Sequence, residues 1–298
     1  MVIPNKLNER EGPSKTPEQW DFLSKRLLWI YRTKSGGNFH NISRPGCQSA
    51  ILVLKGYFEV TIKGKTVRTE KNEWLITPHC STRIQSAPDG YAFLSVGWEA
   101  KWPTHHPLLD EGLPMVLPRK EGAELEEATE NLYRAVHGSL QPVSWTTAII
   151  QPHESLEQLL EEEVAFAKWF LALLQVLKIR GVLPHLPPEL DDRTMDILAC
   201  LRHHPVTENI QPKVIEQRIG LSWRRIHDLF KKNMGMTPHE YLNQRRLEEV
   251  SKRLLSGLEP PKAIAYSMGF NHLSHFSAWF KKYYGVSPRQ YILEHENA

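Results

Sequence analysis

Two short stretches in the C-terminal third carry side chains that suit hydrogen bonding to a nucleic acid. Arginine can donate two hydrogen bonds to guanine, His, Ser and Asp suit other base edges, and Lys neutralises phosphate. The first set is Arg224, Arg225, His227, Asp228 and Lys231. The second set is His272, Ser274, His275, Ser277 and Lys281. On a lone helix such residues usually form only a solvated face, so a role in DNA binding depends on the elements that position them.

An internal repeat places both sets in the same context. Four anchor residues recur 50 positions later along the chain, namely Phe230, Gly235, Pro238 and Tyr241. A shared period of this kind marks duplicated supersecondary units. The segments 237–240 and 287–290 both have the pattern of a capping box, with a hydroxyl cap, proline first in the helix and Glu or Gln reaching back. Gly235 and Gly285 suit the positive φ that ends the preceding helix.

Each repeat is preceded by a helix-turn-helix pattern. In the first unit residues 214–219 predict a short helix, Gly220 the turn and Ser222 the cap of a second helix. In the second unit residues 263–268 predict the short helix, with Gly269 as the turn and Asn271 as the cap. A glycine between two short helices is typical of the DNA-binding helix-turn-helix. The period assigns Ile226, Leu229, Phe230, Phe276, Trp279 and Phe280 to the core and the two polar sets to the opposite faces.

The stretch from 193 to 291 resembles the C-terminal domain of the AraC/XylS family, which has two helix-turn-helix units bridged by a long helix. The residues that carry the resemblance are Gly220, Leu221, Ser222, Leu229, Phe230, Lys231, Gly235, Met236, Thr237, Pro238, Tyr241, Leu242, Arg246, Leu247, Leu254, Leu255, Ile264, Ala265, Gly269, Phe270, Phe280, Lys281, Tyr284, Gly285, Val286, Ser287 and Pro288. Glu216 departs from the family's usual small alanine, which predicts looser packing or an outward carboxylate. We expect the first unit to supply most of the base discrimination.

The bridging helix is predicted to run from Thr237 to about Ser256 and to set the separation of the two units. At 1.5 Å per residue it spans roughly 30 Å, close to the ~34 Å turn of B-DNA, so both units could enter successive major grooves. Arg245, Arg246, Lys252 and Arg253 lie along it, and each is either a phosphate contact or a solvated charge.

Charge distribution agrees with this location more than total charge does. The net charge is only +3, but residues 191–298 hold 16 Lys and Arg against 12 Asp and Glu. Cys47, Cys80 and Cys200 are widely separated, which argues against a disulfide framework or a Cys-x-x-Cys site and predicts buried thiols. The N-terminus is polar and no apolar run approaches about 18 residues, so we expect a soluble, cytoplasmic protein.

The N-terminal part predicts a different architecture. Short runs rich in Val, Ile, Tyr, Phe and Trp between 26 and 102 alternate with Gly and Pro, which favours an antiparallel barrel or sandwich. The pattern around Lys63, Gly64 and Lys65 predicts a hairpin. Residues 121–137 and 154–180 then predict two amphipathic helices. The broad apolar surface of the second helix either packs within the protomer or pairs with a second copy of the chain.

The strand-rich segment resembles the cupin-like sensor barrel of sugar-responsive members of the same family. His40, His79, His105 and His106 lack the spacing of a cupin metal site, so neither a metal nor a cofactor is expected. A barrel without metal holds its ligand by aromatic and polar side chains. The candidates are Trp29, Arg44, Trp74, His79, Trp98 and, with less weight, Trp102, a set that suits a sugar or an organic acid.

The fold class expected is therefore multidomain α+β, with a cupin-like N-terminal β-barrel, a helical dimerisation segment and an all-α double helix-turn-helix. The boundaries are 1–180 for sensing and dimerisation, 181–190 for a Pro-rich linker and 191–298 for DNA binding. The expected partners are double-stranded operator DNA, a small effector such as a sugar, a second copy of the chain and RNA polymerase, with no membrane. Activation and repression both stay open, with activation the working choice.

Two other functions remain open. One is a constitutive DNA-binding protein whose barrel only dimerises. The other is an enzyme fused to a DNA-binding domain, which the scattered cysteines and the missing metal ligands oppose. The prediction is a regulator and not an enzyme.

Overall fold

The computed structural model describes residues 20, 22–33, 39–43, 47–80, 83–103, 107–138, 153, 155–185 and 190–296. Its N-terminal part contains nine strands. They are β1 Ser24–Arg32, β2 Phe39–Ser43, β3 Cys47–Lys55, β4 Tyr57–Ile62, β5 Lys65–Glu70, β6 Glu73–Cys80, β7 Arg83–Ala87, β8 Ala92–Lys101 and β9 Met115–Pro118. Six of them fall on the predicted apolar runs, and β5 completes the predicted hairpin. β2 and β9 are short and carried no clear alternation.

The strands form two antiparallel sheets. One has the order β1-β8-β3-β6-β9 and the other β2-β7-β4-β5. Between β4 and β5 the two turn residues Lys63 and Gly64 have φ values of 49° and 77°. Both signs match the type I′ turn that the twist of a hairpin favours, which confirms the predicted hairpin.

Side-chain alternation gives the five-stranded sheet two apolar faces. One face encloses a core with the second sheet, built from residues such as Ile51, Phe58 and Phe93. The other face packs under two helices, α1 Ala123–His137 and α2 Leu156–Ile179. Both helices match their predicted positions within a few residues. This sheet is buried on both sides, so its central strands are almost continuously apolar.

The strand register also brings together residues that are remote in sequence. Cys47 on β3 lies opposite Cys80 on β6 in the antiparallel ladder. Cys47 and Cys200 are buried, as predicted, whereas the side chain of Cys80 is outside the described residues. The spacing of 33 residues between Cys47 and Cys80 concealed this proximity, because strand pairing and not sequence distance sets it.

The C-terminal part is entirely helical among the described residues. Its helices are α3 Asp192–His203, α4 Pro212–Ile219, α5 Trp223–Met234, α6 Pro238–Ser256, α7 Pro261–Ser267, α8 Leu273–Tyr284 and α9 Pro288–Glu296. They enclose two separate apolar clusters. One includes Ile226 and Phe230, the other Phe276 and Phe280, and α6 contributes side chains to both.

The segment between the two parts is attached to the first of them up to His185. Val182 is buried, the N–H of His185 donates to the carbonyl of Leu108 at 2.7 Å, and the indole of Trp102 donates to the carbonyl of His185 at 2.7 Å. Residues 186–189 of the predicted linker lie outside the described residues. No described helix is long and apolar enough to cross a membrane.

Candidate DNA-binding surface

The first helix-turn-helix unit consists of α4, the turn at Gly220 and α5. Gly220 has a φ of 73°, the left-handed conformation in which glycine ends a helix without strain. The hydroxyl of Ser222 accepts the N–H of Arg225 and caps α5, as predicted. The buried residues of α5 are Ile226, Phe230 and Met234.

The polar set of this unit lies on the opposite face of α5. Arg224, Arg225, Asp228 and Lys231 are exposed, and the side chain of His227 is 36% exposed, with Nδ1 at 3.4 Å from a carboxylate oxygen of Asp228. The structure therefore brings the five predicted residues together on one accessible helix face. Side chains near the N-terminal end of such a helix are the ones that reach base edges.

The second unit consists of α7, Gly269 and α8, with one difference from the prediction. The cap of α8 is His272 and not Asn271, and no side-chain hydrogen bond is made at this cap. The reason is a turn one residue longer, because Gly220 and Gly269 differ by 49 positions whereas the cores of α5 and α8 differ by 50. His272, Ser274, His275 and Lys281 are exposed and Ser277 is half-buried, so this set also shares one face.

The bridging helix α6 is 19 residues long, or about 28 Å at 1.5 Å per residue. It begins with the predicted capping box, in which Thr237 and Glu240 each accept the other's backbone N–H. The backbone N–H of Thr237 holds the pKa of Glu240 below its usual value. On the far side of α6, the Asn243 side chain accepts the indole N–H of Trp279 at 2.9 Å, which attaches α8 to this helix.

Three of the four basic residues of α6 have structural partners. Arg245 donates to the carbonyls of Leu201 and His204, and Arg246 to those of Val206 and Glu208. Arg253 forms a two-pronged ion pair with Glu259 at 2.6 and 3.0 Å.

Lys252, by contrast, is exposed on α6. Among the four it is the side chain best placed for a phosphate.

Glu216 is half-buried and acts as a cap, a role that the expectation of looser packing or an outward carboxylate did not include. Its carboxylate accepts the N–H of Trp223, the first residue of α5, at 2.5 Å. Ala265, its counterpart in the second unit, is fully buried instead. A carboxylate at a helix N-terminus accepts a hydrogen bond from an N–H that has no partner within the helix. Its negative charge also interacts favourably with the positive end of the helix dipole. The unusual residue thus caps the helix that carries Arg224.

We therefore expect Glu216→Ala to destabilise the first unit by about 1–2 kcal/mol, the usual cost of a lost cap. Glu216→Gln keeps an acceptor oxygen and should lose about half as much stability, because only the interaction of the negative charge with the helix dipole is removed. Urea unfolding of both variants measures the difference. A Glu216→Ala protein as stable as the wild type would contradict the capping role.

The predicted effector residues of the N-terminal part do not meet in one place. Trp74 and Trp98 are fully buried on the helix-facing side of the five-stranded sheet, where Trp98 packs edge-on against Trp169 at 5.1 Å. Trp29 lies on the opposite side, in the core between the sheets, and its indole donates to Ser95.

Two further effector candidates are described. His79 is half-buried on β6, and the indole of Trp102 donates to the carbonyl of His185. Arg44 lies outside the described residues.

The two parts of the molecule contact each other through a charged cluster. Lys101 on β8 forms ion pairs with Glu99 at 2.8 Å and with Glu248 on the bridging helix. Arg26 on β1 also binds Glu99 at 2.8 Å. Burial opposes ionisation of the Glu99 carboxyl, but the charges of Arg26 and Lys101 prevail and lower its pKa. Sequence patterns gave no indication of this cluster, because its members come from distant strands and a helix.

Comparison with known proteins bears on the C-terminal part most directly. The sequence profile of a family described as a helix-turn-helix domain matches residues 215–293. An HTH-type transcriptional activator RhaS from Escherichia fergusonii is 30% identical over 137 residues, 46% of this chain and 47% of that protein. A protein of the same name from an Enterobacter species is 26% identical over 71% of this chain and 68% of its own length. The alignment with the first relative thus spans about half of its length.

Among solved structures, wild-type ToxT from Vibrio cholerae, crystallised with an unsaturated fatty acid, aligns over 91% of this chain and 95% of its own. The sequence identity is 18% and the TM-score 0.44.

Proposed function

We propose that residues 215–293 form an AraC/XylS-type helix-turn-helix domain and that the protein is a sequence-specific, cytoplasmic transcription activator. The observation that carries the proposal is the matched exposure of two polar helix faces, on α5 and α8, above two separate buried cores. The names of both relatives support a regulator in preference to an enzyme. RNA polymerase is the further protein partner that activation requires.

The separate roles of base contacts and phosphate contacts on this surface can be tested with one arginine variant and one lysine variant. We assign Arg224 to base edges and Lys252 to phosphate. We expect Arg224→Ala to lose about 1–3 kcal/mol of discrimination at particular base pairs. Lys252→Ala should weaken binding to all sequences alike and reduce the slope of log K against log salt by about one.

The measurement begins with enrichment of a randomised DNA duplex by the wild-type chain, which supplies the preferred sequence. Affinities of each variant for that sequence and for scrambled DNA then follow at several salt concentrations. An equal loss on both DNAs for Arg224→Ala would remove its assignment to base contacts. Failure of the wild-type chain to enrich any sequence would overturn the proposed function itself.

We further propose that the protein is a homodimer joined through α2. One side of this helix is buried on the sheet, but Leu156, Leu160, Val164 and Leu171 remain 49–64% exposed. Two of them, Leu160 and Val164, line an open groove of about 620 Å³ between α1 and α2. An antiparallel pairing about an axis near Val164 would set Glu161 against Lys168 of the partner subunit, so charge complements the apolar stripe.

The expected result for Val164→Asp is a shift from dimer to monomer in analytical ultracentrifugation, because a charge is buried without a partner at the centre of the interface. Leu183→Asp serves as the matched control, since Leu183 is equally exposed but lies outside the helix. A Val164→Asp protein that sediments with the wild type would exclude this dimer.

The N-terminal barrel is proposed to sense a small effector. The support is physical continuity, since β1 and β8 line the barrel and also contribute Arg26, Glu99 and Lys101 to the cluster that contacts α6. A ligand that shifts these strands would change the position of the bridging helix α6, and with it the spacing of the two recognition helices. A constitutive regulator whose barrel only dimerises remains the alternative, and it predicts no thermal shift with any small molecule.

A further inference from the structure

The barrel contains a buried arginine, Arg83, that has no acidic partner within the described part of the chain. Arg83 is the first residue of β7, and alternation along this strand turns Arg83, Gln85 and Ala87 inward. The residue is only 4% exposed. Among the described residues it enters no ion pair, whereas Glu99, the other buried charged residue there, is paired.

The hydrogen bonds of Arg83 use one terminal nitrogen. Nη1 donates to Ser49 Oγ at 2.9 Å and to Thr77 Oγ1 at 3.1 Å, two neutral hydroxyls that also lie 3.0 Å from each other. Its Nε is buried without a partner within the described part of the chain. Nε–H and the adjacent terminal N–H form the forked edge that can donate two parallel hydrogen bonds to a carboxylate. No described residue occupies that edge.

An unpaired buried charge is costly, so the residue is expected to serve something other than stability. The neighbouring side chains on the same core face indicate which other groups a ligand at this position would contact. Ser95 accepts the indole N–H of Trp29, and the Tyr31 hydroxyl bonds to Ser95. Burial raises the pKa of Tyr31, so this hydroxyl stays protonated and can donate. The rest of this core cluster is apolar and includes Phe58 and Phe93.

We propose that Arg83 is the anchor of a binding site for a small organic carboxylate, and that the effector of this protein is therefore an anion. The identity of this ligand as effector rests on the proposed regulatory function, whereas its binding to Arg83 does not. A neutral sugar leaves the guanidinium edge unpaired, but a sugar acid or an aryl-alkyl acid neutralises it.

The test is thermal unfolding and calorimetric titration of the full chain with two matched pairs of probes. The pairs are D-glucuronate with D-glucose, and 3-phenylpropionate with its neutral amide. We expect at least one acid to raise Tm and to bind, and neither neutral partner to do so. Arg83→Met, which keeps the volume but removes the charge, should lose about tenfold or more in affinity for that acid.

The stability of the same variant without ligand distinguishes a ligand-binding arginine from a structural one. Without ligand, Arg83→Met should match or exceed the wild-type Tm, because the substitution removes an unpaired buried charge. A substantially lower Tm would indicate a structural arginine and overturn the inference, as would equal shifts from acid and neutral partner or no shift from either acid. These outcomes leave enrichment of specific DNA by the wild-type chain unaffected, so they are distinct from failure of the proposed function.

Discussion

Replacement of Phe230 by alanine is expected to cost about 3–5 kcal/mol and to abolish specific DNA binding. The ring is fully buried at the centre of the first cluster and packs edge-on against Tyr241 at 5.8 Å. The cavity left by its removal lies directly beneath the helix that carries Arg224. A loss of this size is a large part of the ~5–15 kcal/mol that stabilises a typical domain.

Urea unfolding followed by circular dichroism measures this effect, with DNA binding recorded on the same samples. Phe230→Leu is the control, because it retains most of the volume and should cost about 1.5 kcal/mol or less. The two C-terminal clusters are separate, so the second unit should unfold near its usual urea concentration. An unchanged unfolding midpoint for Phe230→Ala would show that the first cluster does not hold this unit together.

The second large effect is expected in the barrel, for Gly97→Ala. A Cβ at this position would lie 2.1 Å from Cε2 of Trp29, whose ring rests on the glycine. The indole has little freedom to withdraw, since it is buried and donates to Ser95. We expect a loss of about 3 kcal/mol, near the upper end for overpacked cores.

A double-mutant cycle with Trp29→Leu tests the assigned cause. If the clash with Trp29 is responsible, the double variant should be destabilised by less than the sum of the single variants, with a coupling of at least about 1 kcal/mol. Thermal unfolding with near-ultraviolet circular dichroism reports both stability and the packing of the indole. Additive losses would place the cause elsewhere, for example in the backbone of β8.

The helix-turn-helix half of the molecule could be predicted from the sequence in detail. Hydrogen bonds and φ values within a few residues form the helix caps at Ser222 and Thr237 and the helix ends at Gly220 and Gly235. A short sequence pattern therefore contains every group that takes part. The duplicated cores were equally accessible, because a helix repeats its faces with a fixed period. The error at Asn271 arose where the 50-residue period failed by one position, in the turn that carries no periodic signal.

The barrel was predictable as a class of fold but not as a site. Alternation indicated the strands, but it could not say which face of the sheet meets the second sheet and which meets the helices. For that reason Trp29, Trp74 and Trp98 were grouped as possible ligand contacts although Trp29 lies on the opposite side of the sheet. Arg83 was not among the candidates, and only its inward position in the alternation of β7 could have indicated it.

The amino-acid sequence by itself thus determined the two polar helix faces, Arg224 to Lys231 and His272 to Lys281, because caps, turns and helical period are local properties. The tertiary structure alone decided which charges are available. It engages Arg245, Arg246 and Arg253 in structural contacts, turns Glu216 into a cap for α5 and buries Arg83 without an acidic partner among the described residues. The partners of Arg245 and Arg246 lie 38–44 residues away along the chain, whereas those of Arg253 and Glu216 lie six and seven residues away across a turn. In every case only the folded chain brings the partner within hydrogen-bonding distance.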